Sequence, residues 1–283
     1  PPRGIGSSPM FDLDLYGQAM AEHWSQALAS WAIPPEILER AERDPWTFPV
    51  ERFAQRAERA VSAPEGVSFE RAAELLRERP GAVLDVGAGA GAASLPLAPW
   101  ATHVTAVDSS PEMLEAFDVG ADQSGVDHST VLGQWPEVAD QVGRHDVTVV
   151  HHVVYNVPDI VPFLRALDAT TSRRVVLELP THHPLTWMSP LWERFHGVTR
   201  PTAPTAGDLV EIVSALGLAD VSAEYWSTGG EAGFAGTPED RMPQAGVVAQ
   251  RLCLPSSRAA EVAEALGDVD HDQRDLVTIS WTA

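Results

Sequence analysis

The sequence predicts an α/β fold, a mostly parallel sheet with helices on both faces behind an N-terminal helical cap. Two observations carry this. Strand-like apolar runs alternate with helix-like segments over residues 81–180. Such alternation implies parallel strands joined by right-handed crossovers. Residues 82–86 also run straight into Gly87-Ala88-Gly89-Ala90-Gly91. Strand followed by glycine-rich turn is how such a sheet builds a ligand crevice at the carboxyl end of its first strand.

Bulk properties narrow the classes. A chain of 283 residues with 44% hydrophobic residues supplies a full core and slightly more than one domain by length. No run approaches ~18 uninterrupted apolar residues, so no membrane span is expected. No basic segment followed by an apolar one opens the chain, so nothing points to export. Residues 1–9 are rich in Pro, Gly and Ser and read as a tail ahead of a natural start at Met10. The single Cys253 cannot form an internal disulfide, which fits a cytoplasmic protein. Net charge is −21, and all 19 basic residues are Arg. A surface this acidic repels polyanions, which argues against a nucleic-acid partner. Residues 36–79 hold eight Arg against ten acidic residues, a solvated helical face rather than a basic patch.

The cap occupies residues 1–80. Residues 11–31 carry Leu15, Ala19, Met20, Trp24, Ala27, Leu28 and Trp31 at helical spacing. Pro34-Pro35 opens a second helix with Ile37, Leu38 and Ala41 on one face. A third is expected over 50–62 and a fourth over 69–79, with Ser68 as its N-cap. The cap's aromatics (Trp24, Trp31, Trp46, Phe48 and Phe53) are expected to pack against the core. The second unit, residues 81–283, shows strands at 82–87, 103–108, 128–132, 145–151 and 174–180, with helices near 91–99, 111–117, 135–142 and 158–169. Residues 181–205 hold four prolines among apolar residues and read as a lid-like insertion after the fifth strand. A helix over 208–216 follows, then strands near 219–227 and 246–254, a helix to Leu266 and a last strand over 276–281.

By spacing alone the glycine turn fits two cofactors. Gly87, Gly89 and Ala92 satisfy G-x-G-x-x-A, and Asp108 lies where a ribose-binding acid of a nicotinamide dinucleotide site belongs. An NAD(P)-dependent oxidoreductase is therefore one alternative. A flexible Ala/Gly connector does not explain the preceding Val-Leu-Asp-Val run or the second strand ending in Asp108.

The residues around the turn resemble a family. Val83-Leu84-Asp85-Val86-Gly87-Ala88-Gly89-Ala90-Gly91 looks like the first motif of class I S-adenosylmethionine (SAM)-dependent methyltransferases. Asp108-Ser109-Ser110-Pro111-Glu112-Met113-Leu114 is similar to their second, and residues 145–159 resemble the fourth strand and following loop of small-molecule members. Three motifs in order, over about residues 80–255, are more specific than one. The resemblance implies a Rossmann-like, mostly parallel seven-stranded sheet. It implies SAM as cofactor, S-adenosylhomocysteine as product and a small-molecule acceptor.

By the same resemblance, Asp85, Gly87, Ala88, Gly89, Gly91, Asp108, Ser109, Met113, Gln134, Trp135 and His151 bind the cofactor. The physics is consistent. Glycines let the backbone pass close beneath a ligand, and a helix opening after them would offer N–H groups to the methionine carboxylate. Asp85 suits an ammonium or sulfonium better than a pyrophosphate. Asp108 would accept from both ribose hydroxyls, and Met113 would cover the adenine. Gln134 stands where many members place an Asp, and Trp135 could stack on the base.

Methyl transfer needs mainly alignment, and a base only if the nucleophile arrives protonated. Imidazole titrates near neutrality, and His151, His152, His182 and His183 fall at strand ends facing the expected crevice. His152 and His182 are the preferred bases. His183, Tyr155, Asn156, Trp187 and Trp192 are candidate acceptor contacts. Trp187, Met188, Trp192 and Phe195 read first as a small core of the insertion. No metal is expected, because adjacent histidines in a strand point to opposite sides. A non-catalytic SAM-binding protein is the remaining alternative.

Overall fold

The computed structural model describes residues 13–47, 49–229, 236–269 and 273–283. The cap comprises α1 (Leu13–Ala29), α2 (Pro35–Leu38), α3 (Val50–Ser62) and α4 (Val67–Glu78). Seven strands follow: β1 (Gly81–Val86), β2 (Ala101–Asp108), β3 (His128–Leu132), β4 (His145–His151), β5 (Thr171–Pro180), β6 (Ala219–Gly229) and β7 (Gln273–Thr282). Their order is β3-β2-β1-β4-β5-β7-β6. The first five pair in parallel, and β7 runs antiparallel between β5 and β6. The connecting helices are α5 (Pro111–Ser124), α6 (Ala139–Val142), α7 (Ile160–Thr170), α8 (Ser189–His196), α9 (Ala206–Ala215), α10 (Pro238–Arg251) and α11 (Ala259–Ala265). The expected α/β class and seven-stranded, mostly parallel sheet are both present.

Both faces of the sheet are covered, so its central strands read as continuous apolar runs. Val83, Leu84, Val147, Val175, Val176 and Leu177 are all inaccessible to solvent. On one face α4 buries Phe69, Ala72, Ala73 and Leu76, a helical stripe that meets Val83, Val149 and Val176. On the other, Trp24 of α1 joins Ile160, Phe163 and Leu167 of α7 and Leu209 and Ile212 of α9. Each such large side chain contributes roughly 1.5–3 kcal/mol. A third cluster packs Met188, Leu191 and Trp192 against Ala245, Val248 and Leu252 and against Val262 and Leu266. The insertion's aromatics thus share their core with α10 and α11 rather than forming one of their own.

Several expected elements differ. Residues 246–254 are the end of helix α10 and the turn after it, not a strand. Thr237 and Asp240 form a reciprocal cap that opens α10, and Ala245, Val248, Ala249 and Leu252 are buried at helical spacing. The helix expected over 91–99 is a set of turns with one 3-10 turn, Leu95–Leu97. Pro96 has no N–H to give an α-helix there. Over 135–142 only the single-turn α6 forms, ended by Gly143 at φ +70°. The second cap helix likewise shrinks to α2. Ser68 is not the N-cap of α4: the helix starts two residues earlier than expected, after Gly66, and the Ser68 hydroxyl turns inward to Thr278 Oγ1 at 2.7 Å. Trp24 and Trp31 are buried as expected, whereas Trp46 is exposed. Phe48 lies outside the described residues.

Candidate functional site

The strand order reverses between β1 and β4, which places the natural crevice at their carboxyl ends. The glycine turn fills that position. Gly87, Gly89 and Gly91 all take positive φ, at +70°, +52° and +91°. The turn closes on the second strand, since Gly87 and Ala88 both donate to the Val107 carbonyl. A Cβ on Gly87 would collide with Val153, so the turn lies directly against the segment that leaves β4. His151 and His152 are therefore beside it.

Asp108 ties two loops together. One carboxylate oxygen accepts from Gly89 N at 2.8 Å, the other from Ser110 N at 2.9 Å. Each oxygen keeps a second lone pair for a hydroxyl. Ser110, rather than the exposed Ser109, caps α5 through Met113 N. Asp85 is almost inaccessible. Its Oδ2 accepts from Ser94 at 2.6 Å, while its Oδ1 is buried with no partner. Burial pushes its carboxyl up to about 7, against the Ser94 bond and with help from Asp108. A buried orphan carboxylate oxygen beside a turn with glycine at every second position suits a cationic group, so the residues present fit SAM. The anticipated helix terminus is missing, so any carboxylate would meet loop amides. Gln134 is exposed, and the Trp135 indole donates to the Phe163 carbonyl at 3.2 Å, which fixes its ring against α7.

Helix α3 crosses above this crevice. A Cβ on Gly89 would lie 3.5 Å from the ring of Phe53. One turn further on, Arg56 Nη2 is 2.7 Å from His152 Nε2. The same ring nitrogen is 3.2 Å from Glu178 Oε1, and His151 Nδ1 is 3.9 Å from that oxygen. His151 ends β4 directly opposite Glu178 on β5, which is opposite Thr278 on β7. Burial pushes His151 down to about 4, and it also lowers His152, against the hydrogen bond that its imidazole donates to Glu178. Glu178, although buried, is held well below the usual carboxylate range by His151 and His152, with Ser68 adding a hydrogen bond.

The other expected residues lie apart from this cluster. His182 is exposed, bridges to Thr205 and contacts the Thr181 hydroxyl. His183 stacks on Trp31 at 3.8 Å and meets Tyr155 edge-on. Burial, with Arg200, pushes its imidazole down to about 4. Tyr155 stacks on Trp24 and donates to the Pro180 carbonyl, and Asn156 is exposed. Trp192 is buried beneath the Arg200 guanidinium, which also bonds the Trp31 carbonyl, and Trp187 packs against the same cluster. Sequence reasoning missed Glu178 and Arg56, and named Phe53 only among the aromatics expected to pack against the core. A signal existed for Glu178: it is the one acid in the apolar run 175–180, and acids are almost never fully buried unless paired.

Comparison with known proteins agrees with this geometry. Residues 83–172 match the family described as a methyltransferase domain. The ubiquinone biosynthesis O-methyltransferase of Caulobacter vibrioides is 27% identical over 230 residues, covering 69% of this chain and 88% of that protein. Among solved structures, coclaurine N-methyltransferase bound to N-methylheliamine and S-adenosylhomocysteine superposes with a TM-score of 0.50 at 16% identity, over 98% of this chain and 90% of that one. The YcgJ protein of Bacillus subtilis gives 0.50 at 16% identity, over 75% of this chain and 98% of that one. With its three motifs, its strand order and these matches, the chain carries a methyltransferase domain over residues 83–172 and is similar in fold to SAM-dependent methyltransferases.

Proposed function

We propose that this methyltransferase transfers the methyl group to a hydroxyl of a small, apolar or aromatic acceptor, with His152 as base. The observation that carries the reading is a half-buried imidazole, next to the glycine turn, that shares one ring nitrogen with a carboxylate and a guanidinium. The O-methyltransferase name of the Caulobacter relative supports oxygen as the acceptor atom. His152 is favoured over His182, whose side chain is exposed and tied to its own loop. Bound SAM supplies an electrophilic methyl on sulfonium, whose carbon–sulfur bond breaks as the oxygen–carbon bond forms.

The chain's own residues have separate tasks. Asp108 holds the ribose and Asp85 faces the methionine ammonium. The backbone at Gly87, Ala88, Gly89 and Gly91 runs under the ligand, and Met113 flanks the adenine. His151, neutral and half-buried, borders the methionine portion. Phe53 and α3 exclude water from above. The helices α1 to α4 and the insertion (181–205) frame the acceptor. The acidic surface argues against nucleic acid as acceptor. Among the described residues no helix is long and apolar enough to cross a membrane. A cytoplasmic location is consistent with the single buried Cys253.

The test is a screen of hydroxylated aromatic compounds and cell extract with SAM labelled in its methyl group, the product being identified by mass. A product carrying a methyl ether is expected. Tight SAM binding with no transfer to any acceptor would favour a non-catalytic binding protein instead.

A further inference from the structure

One imidazole nitrogen has two neighbours that want opposite things from it. Arg56 Nη2 from α3 stands 2.7 Å from His152 Nε2, and Glu178 Oε1 from β5 stands 3.2 Å from the same atom. A ring nitrogen is either a lone pair or an N–H. Unprotonated, Nε2 accepts from Arg56 and has nothing to give Glu178. Protonated, it donates to Glu178 and confronts the guanidinium. The two side chains thus stabilise opposite protonation states of a single site.

Residue 178 also fixes where that nitrogen sits. His152 takes φ +61°, a left-handed conformation uncommon for a residue with a side chain. Its N–H donates to the Glu178 carbonyl at 2.8 Å. Glu178 is 8% exposed, and its sequence neighbours Leu177 and Leu179 are fully buried. A carboxylate in such a place costs several kcal/mol unless it is paired and hydrogen-bonded. The strand would pack with an aliphatic residue there, so the acid is unexplained by the fold alone.

We propose that Glu178 is a positioning residue for methyl transfer, holding His152 and stabilising the proton that Nε2 takes from a hydroxyl acceptor, and that Arg56 occupies the place from which that hydroxyl donates. This rests on the reading of His152 as base. On reaction the acceptor O–H bond breaks and its proton moves to Nε2. The pair of that bond becomes the oxygen's lone pair, and an oxygen lone pair forms the new bond to the methyl carbon. The sulfur keeps the pair of the broken carbon–sulfur bond. The imidazolium that results sits against the Glu178 carboxylate until water carries the proton away. Entry of the acceptor moves Arg56 off Nε2, and with it the part of α3 that bears it.

The charged and titratable groups around His152 are Arg56 of α3, Glu178 of β5, His151 of β4 and Arg274 of β7. The first test needs no cofactor or acceptor. The His152 titration is followed by NMR on protein labelled with nitrogen-15 in its histidines and assigned by loss of the signal in His152→Gln. Glu178→Gln should move the titration to lower pH by about one unit, because a neighbouring carboxylate favours imidazolium. Arg56→Gln should move it to higher pH by a similar amount. Unmoved titrations would overturn the proposal. If Glu178→Gln does not fold, an unmoved titration in Arg56→Gln overturns it alone.

Kinetics separate a positioning role from a structural one. Glu178→Gln should lower kcat by about 10- to 100-fold, with little change in acceptor KM, and displace the acidic limb of the kcat profile to lower pH. Arg56→Gln should lower the acceptor KM several-fold. Added to His152→Ala, Glu178→Gln should cost nothing more, since it acts through a side chain already removed. Additive losses would make Glu178 merely structural. Wild-type turnover in His152→Ala would instead remove the base itself, whatever the titrations show.

Discussion

The two halves of the crevice are built differently. The proposed cofactor half is held through main-chain N–H groups: those of Gly87 and Ala88 donate to the Val107 carbonyl, and those of Gly89 and Ser110 to the Asp108 carboxylate. All its residues but His151 come from one short stretch, β1 to the start of α5. The proposed acceptor half is held by side chains gathered from Arg56, Ser68, His152, Glu178 and Thr278. Backbone geometry is dictated locally, by where glycine must stand. A side-chain cluster depends on strand order, and strand order appears only once the chain has folded. The first half should therefore respond to substitutions in binding and folding, the second in turnover and pH dependence.

His152→Ala should produce the largest effect, a loss of about 10²–10⁴-fold in kcat with SAM affinity unchanged in calorimetry. His182→Ala should leave both nearly intact; equal loss in the two variants would erase the distinction between the histidines. Next, Asp108→Ala removes the ribose acceptor and unties Gly89 from Ser110. Losing charge-assisted hydrogen bonds of about 1.5–3 kcal/mol each should weaken SAM binding by at least tenfold. Unchanged affinity would refute the role given to that acid.

Gly87→Ala should then lower thermal stability by about 2 kcal/mol or more. It combines left-handed strain of roughly 1–2 kcal/mol with a collision against Val153. Gly125 has φ +66° and open space around it, so Gly125→Ala should show the strain alone, about 1 kcal/mol. Equal melting shifts in the two would mean the turn does not press on the β4 exit.

The smallest expected effect concerns Asp85. Its folded value of about 7 lies above the ordinary one, so the fold favours its protonated form. Its contribution to stability is fully present below about pH 4 and is lost as pH rises towards 7. A cation bound beside it favours the ionised form. SAM affinity should therefore rise severalfold from pH 6 to 8, and Asp85→Asn should flatten that dependence. An equally steep profile in the variant would place the ammonium elsewhere.

How much was legible follows the same division. The α/β alternation, the glycine turn and the Asp108 segment could be read because each is written in contiguous residues. Two local errors came from weighing apolar content over cap and breaker signals, and a third from trusting a cap signal. Pro96 broke the helix expected after the glycines, Thr237 and Asp240 capped a helix where a strand was read, and Ser68 faced inward to Thr278. The acceptor half was only half visible. The histidines stood out as residue types, but nothing near them in sequence shows that Glu178, 26 residues after His152, shares a nitrogen with Arg56, 96 residues before it. His183 and Trp192 looked alike on the page as candidate contacts, yet one lies stacked on Trp31 and the other beneath Arg200.

The most direct test of the account is a crystal structure with S-adenosylhomocysteine bound. The ribose hydroxyls should lie on Asp108, the amino group should face Asp85, and the sulfur should point towards His152 with Phe53 above. A ribose away from Asp108, or a sulfur directed to His182 instead, would contradict it.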